Sequence, residues 1–120
     1  MITRLSENAL KNILTGKTQE AFKCVIKFYS NSCPYCHELK NDYENIAERF
    51  GDNVHFFAFN TYESNNLDNF ISIDGVPSIA FVDVKDRPKI SILGEPEEPS
   101  KETWYHADDI IKFIKGNLNA

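Results

Sequence analysis

Three cysteines occur in the chain, and two of them stand in the segment Cys33-Pro34-Tyr35-Cys36. Two intervening residues keep the second sulfur within a turn of the first. A thiolate at Cys33 can therefore attack an external disulfide, and Cys36 can displace the mixed disulfide that results. The segment follows the apolar run Cys24-Val25-Ile26-Lys27-Phe28-Tyr29 and precedes a long amphipathic stretch, with Pro34 suited to the first helical position. A helix N-terminus presents unpaired N–H groups and about half a positive charge. Both favour an anion, so the Cys33 thiol is expected to lose its proton more readily than a free cysteine, and thiolate is the attacking species.

Cys-x-x-Cys also occurs in zinc sites. Here His37 follows directly, but Cys24, His55 and His106 supply no second Cys-x-x-Cys and no His-x-x-x-His spacing. Cys33-x-x-Cys36-His37 matches the spacing of c-type haem attachment as well. Met1 is the only methionine, and no segment is left for a separate haem pocket. The expected chemistry is dithiol exchange with no cofactor beyond the redox-active disulfide and with no metal. Cys24 opens a buried strand and is expected to behave as a small hydrophobe.

The elements that position these residues follow from periodicity. Ser6 caps a helix over 6–15 whose Ala9, Leu10, Ile13 and Leu14 share one face, and Gly16 stops it. A central strand is predicted over 24–29 and a helix over 34–50, in which Leu39, Tyr43, Ile46, Ala47 and Phe50 recur at helical spacing. A second buried strand follows over 54–59, and Leu67, Phe70 and Ile71 suggest a short helix. The chain breaks at Asp74-Gly75-Val76-Pro77. Strands over 79–84 and 89–93, joined by Lys85-Asp86-Arg87-Pro88, make an antiparallel hairpin. Residues 95–102 are acidic and proline-rich and read as a solvated loop; a last helix over 107–118 buries Ile110, Ile111, Ile114 and Leu118. The expectation is an α/β fold with a mixed four- or five-stranded sheet flanked by helices.

A length of 120 residues suits one domain over 1–120. The net charge of −5, with no basic run longer than two, argues against a nucleic-acid or anionic-membrane partner. The start lacks the apolar region of a signal peptide, and no stretch is long enough to span a membrane. A soluble cytoplasmic protein is expected, in a compartment where paired cysteines are catalytic rather than structural.

The order strand, Cys-x-x-Cys helix, strand, short helix, Val-Pro, hairpin, final helix resembles the thioredoxin superfamily over about residues 20–118. The separation of Cys33 from Pro77 is similar to that in thioredoxins and in the catalytic domains of protein disulfide isomerases. The resemblance implies a thiol-disulfide oxidoreductase, monomeric by family default, acting on protein disulfides and recycled by an unidentified reductant. It implies a cis Val76-Pro77 peptide beside the sulfurs, with the Val76 backbone open to an extended substrate segment. Pro34, Tyr35, Val76, Pro77, Leu93 and Gly94 are the expected substrate surface, with Tyr35 exposed in the active-site turn.

Several positions depart from that pattern. The Pro34-Tyr35 dipeptide is glutaredoxin-like, which makes a glutathione-dependent activity the nearest alternative. However, Ser30-Asn31-Ser32 lacks a basic residue before the first cysteine, and Gly94 stands where glutaredoxins have a glycine pair. A non-enzymatic binding module is a further alternative. Ser32 replaces the tryptophan that commonly precedes the first cysteine in thioredoxins, and the only tryptophan is Trp104. Lys27 replaces the buried acid of the family, and Ala58 replaces the lysine that often pairs with it. An inward Lys27 would reverse the local field and stabilise thiolate, which makes the disulfide more oxidising. Lys27 reaching solvent would leave the potential unchanged.

Overall fold

The run Phe22–Tyr29 is rich in β-branched and aromatic residues, and it forms the middle of a five-stranded sheet in the computed structural model, which describes residues 2–119. In chain order the elements are β1 (Ile2–Arg4), α1 (Glu7–Thr15), β2 (Phe22–Tyr29), α2 (Pro34–Phe50), β3 (His55–Asn60), β4 (Ser78–Val84), β5 (Lys89–Ile92) and α3 (Ala107–Leu118). The sheet order is β1-β3-β2-β4-β5, with β1 and β2 parallel to β3, and β4 antiparallel to β2 and β5.

Alternation along β2 divides the core. Cys24, Ile26 and Phe28 point to the face covered by Leu10, Ile13 and Leu14 of α1. Val25 points to the opposite face, against Leu39, Tyr43 and Ile46 of α2 and Ile110 and Ile114 of α3. Complete burial of a side chain such as Phe28 contributes roughly 1.5–3 kcal/mol. The same alternation puts Lys27 on the α2 side, which places a cation under the helix that carries the cysteines.

Capping sets the helix ends. The Ser6 hydroxyl accepts the Ala9 N–H at 3.1 Å, and Gly16 closes α1 at φ 76°. A side chain at Gly16 would be strained and would meet the Lys85 carbonyl at 2.7 Å, so this position requires glycine. The His106 N–H donates to Asp109 Oδ2 at 3.0 Å at the start of α3.

Some expectations need correction. The N-terminal strand β1 carries no recognisable pattern in its three residues; it exists because β3 offers an open edge. The short helix expected around Leu67, Phe70 and Ile71 is a single 3-10 turn, Leu67–Asn69, and a further 3-10 turn, Thr61–Glu63, precedes it. In α3, Ile111 and Leu118 are only half-buried, because the helix packs through one narrow stripe.

Candidate active site

Strand β2 ends at Tyr29, and the short connection Ser30-Asn31-Ser32 delivers Cys33 to the N-cap of α2 with Pro34 at the first helical turn. Cys33 and Cys36 form a disulfide with Cα atoms 5.3 Å apart. The Cys36 N–H donates to Cys33 Sγ at 3.1 Å, and the His37 N–H donates to the Cys33 carbonyl at 3.2 Å. The sulfur of Cys33 thus occupies the place of a capping oxygen, where N–H groups and the helix field favour a thiolate. Cys33 is 9% exposed and Cys36 4%, so the first cysteine is the more accessible one.

The loop before β4 closes over this pair. The Val76–Pro77 peptide is cis, and the Val76 carbonyl oxygen lies 3.7 Å from Cys33 Sγ. The β2–β4 ladder ends at Ser78, so Val76 stands beyond it, next to the sulfur. A groove of about 650 Å³ runs from there, with Tyr35, Val76, Pro77, Leu93 and Gly94 among its walls. Within it Pro77 is buried, Val76 and Leu93 are half-buried and Gly94 is exposed; Pro34 is exposed and lies outside the groove lining. Of the six residues expected to form the substrate surface, five meet in one groove and Pro34 does not.

Tyr35 is half-buried rather than freely exposed, because Trp104 covers it with ring centroids 5.9 Å apart. The acids Glu95, Glu97 and Glu98 are solvated as expected, yet the loop as a whole packs down: Pro96 and Tyr105 are buried. The Tyr105 hydroxyl donates to the Leu93 carbonyl at 3.3 Å, and His106 Nε2 donates to the Glu98 carbonyl at 2.9 Å. Reciprocal Ser100–Trp104 backbone hydrogen bonds of 2.9 and 3.1 Å hold Trp104 at φ 66°, a conformation unusual for a bulky residue. Trp104 thus lines the groove. The available signal was a Trp104-Tyr105 pair at the end of an otherwise polar stretch. Just before Cys33, the Tyr62 hydroxyl and Ser32 Oγ hydrogen-bond at 2.8 Å.

Lys27 is buried at 7% exposure, which settles its direction as inward. Its ammonium lies over the rings of Tyr43 at 4.9 Å and Tyr29 at 5.6 Å. Across the sheet its register partner is Ala58, so no charge opposes it there. Burial, chiefly, lowers its pKa to about 8; Glu44 opposes that fall, while Lys40 and Arg4 add to it. Cys24 is a free, fully buried thiol pushed up to about 12 by loss of solvation, which suits a core residue. Among the described residues no group of three His, Cys, Asp or Glu side chains could hold a metal ion. No helix among them is long and apolar enough to cross a membrane.

Comparison with known proteins agrees with this arrangement. The chain is 26% identical over 68 residues to a thioredoxin of Borreliella burgdorferi, covering 57% of this chain and 58% of that one. It is 30% identical over 94 residues to a putative protein disulfide-isomerase of Dictyostelium discoideum, covering 78% of this chain and 22% of the other. The matches thus span less than two thirds of either curated relative. The J-Trx1 fragment of ERdj5 shares the fold with a TM-score of 0.72 at 13% identity, over 99% of this chain and 52% of that structure. The thioredoxin family model matches residues 3–114. With a five-stranded sheet in this order and a disulfide at the N-terminus of α2, the chain belongs to the thioredoxin family.

Proposed function

We propose that this protein is a thiol-disulfide oxidoreductase that reduces or exchanges protein disulfides through Cys33 and Cys36. The observation that carries the reading is the Cys33 sulfur: it caps α2, accepts the Cys36 N–H, and faces the Val76 carbonyl at the mouth of a groove. In the reducing direction the Cys33 thiolate attacks one substrate sulfur and expels the other as thiolate, leaving a mixed disulfide. Cys36 then loses its proton and attacks Cys33 Sγ. The Cys33–Cys36 disulfide forms, the second substrate sulfur leaves, and two electrons have passed to the substrate. A separate reductant returns them, and the same steps reversed donate a disulfide.

In this reading the substrate approaches as an extended segment along Val76 and Pro77, between Tyr35, Leu93 and Gly94, with Trp104 as a further wall. Pro34 fixes the helix entry that orients both sulfurs, and Lys27 modulates them electrostatically. A free buried Cys24 fits a reducing, cytoplasmic setting. Among the described residues the exposed large hydrophobics are Tyr62 and Ile92 alone, which fits a monomer.

The test is reduction of insulin by dithiothreitol. The protein is expected to accelerate it and Cys33→Ser to give only the background rate. Equal rates for the two would reject the proposal. Turnover of a glutathione mixed disulfide in place of insulin would select the glutaredoxin-like activity instead.

A further inference from the structure

A second cavity, of about 300 Å³, adjoins the disulfide and shares no lining residue with the groove described above. Cys33 and Cys36 line it, together with Lys27, Arg4, Lys40 and Glu44. Three cations thus face one carboxylate in a space next to the reacting atoms. Lys27 is the unusual member. It is more than nine-tenths buried, and the Lys85–Asp83 contact is the only ion pair among the described residues, so Glu44 does not pair with it directly. Its neighbours are the faces of Tyr29 and Tyr43, which attract a cation but accept no conventional hydrogen bond from it. Tyr43 directs its own hydroxyl away, to the Phe57 carbonyl at 2.6 Å. Its ammonium is not fully cut off from solvent and has no anion paired with it, so an anion entering the cavity meets an unpaired cation.

We propose that this cavity binds a small organic carboxylate, with Lys27 at its floor and Arg4 and Lys40 at its mouth. Ile2, Ala58 and the Tyr29 ring supply apolar lining, which suits a carbon-bearing anion better than a bare inorganic one. The volume is at the lower end of the range for small-molecule sites. A bound carboxylate cancels the field of Lys27 at the sulfurs, so it disfavours the thiolate form and makes the disulfide harder to reduce. By linkage, the oxidised protein binds the anion more tightly than the reduced protein by the same factor. The redox coupling rests on the proposed exchange reaction, whereas the binding itself does not.

Succinate, at ionic strength matched with sodium chloride, is the probe. Binding is followed by NMR chemical shifts on oxidised protein and on the Cys33→Ser, Cys36→Ser double variant, which has no exchange chemistry. Expected are saturable shifts at Lys27 and Lys40 in both proteins. The thiol–disulfide equilibrium constant against glutathione should move on the order of tenfold toward the disulfide, or about 30 mV. Lys27→Met should abolish both responses and Lys27→Arg should retain the binding; Lys27→Gln serves if the methionine variant does not fold. Phosphate in place of succinate tests the chemistry of the ligand, and equal or tighter binding of phosphate would overturn the preference for an organic carboxylate. Shifts no different from those in chloride, or saturable binding that persists in Lys27→Met, would overturn the site. Loss of insulin reduction with binding intact would instead overturn the exchange reading alone.

Discussion

Tyr35, in the turn between the two active-site cysteines, packs against Trp104 with ring centroids 5.9 Å apart and planes tilted by 53°. The contact turns one wall of the groove into an aromatic pair contributed by α2 and by the loop before α3. In thioredoxins a tryptophan commonly precedes the first cysteine; here Ser32 stands in that place and the indole arrives from elsewhere in the chain.

Trp104→Ala is therefore expected to lower kcat/KM for a protein disulfide by roughly threefold to tenfold, the scale of a lost aromatic contact. Turnover of a small aromatic disulfide reagent, which needs little of the groove, should fall much less. Steady-state kinetics on the two substrates checks this, and equal losses on both would mean that Trp104 only supports the fold.

Lys27→Met removes the buried ammonium while keeping a side chain of similar length. Thiolate loses a stabilising charge, so the equilibrium reduction potential is expected to fall by on the order of 30 mV, a tenfold change for a two-electron couple. Equilibration with glutathione buffers, followed by alkylation and mass, measures it. An unchanged potential would show that Lys27 does not act on the sulfurs.

The low pKa of Lys27 also predicts a pH dependence of stability. The folded group titrates near 8 and the unfolded one near 10.5, so from about pH 8 to 10.5 the unfolded chain binds more protons. The Lys27 contribution to stability therefore rises with pH across that window and is lost as pH falls through 8. Cys24 acts oppositely: its pKa rises from 9.0 to about 12, so its contribution is complete below pH 9 and declines above it. Urea midpoints of the protein and of Lys27→Met, compared pH by pH, isolate the lysine. The advantage of the methionine variant should shrink between pH 8 and 10.5; a constant gap would contradict the assigned titration.

Cys24 is expected to be silent in the folded protein. At pH 8 the reduced protein should present Cys33 to brief alkylation, whereas Cys24 should label only after denaturation. Mass spectrometry after brief iodoacetamide treatment locates the label, and rapid native labelling of Cys24 would contradict its burial.

Cys36→Ser should accumulate a mixed disulfide between Cys33 and a protein substrate, because the displacing sulfur is gone. Cys33→Ser should accumulate none. Non-reducing electrophoresis separates the two outcomes, and trapping by Cys33→Ser would reverse the assigned order of attack.

Local chemistry accounts for what could be read directly. Ser6 and Gly16 frame α1 because a hydroxyl acceptor and a left-handed residue act within one turn, and the repeat from Leu39 to Phe50 predicts α2 at its observed bounds, Pro34–Phe50. The Cys33-x-x-Cys36 spacing at a strand-to-helix junction was enough to locate the dithiol. Contacts between distant segments decided the remainder. Ile2–Arg4 is a strand only because β3 leaves an edge for it, and Trp104 reaches Tyr35 only because the Ser100 hydrogen bonds and Tyr105 anchor its loop. Alternation along β2 put Lys27 on one of two faces, but how much water its ammonium kept depended on Tyr43 and Tyr29 packing against it. Pattern along the chain reports which face a residue occupies; the packing of other elements against that face determines its solvation, and hence its charge and its chemistry.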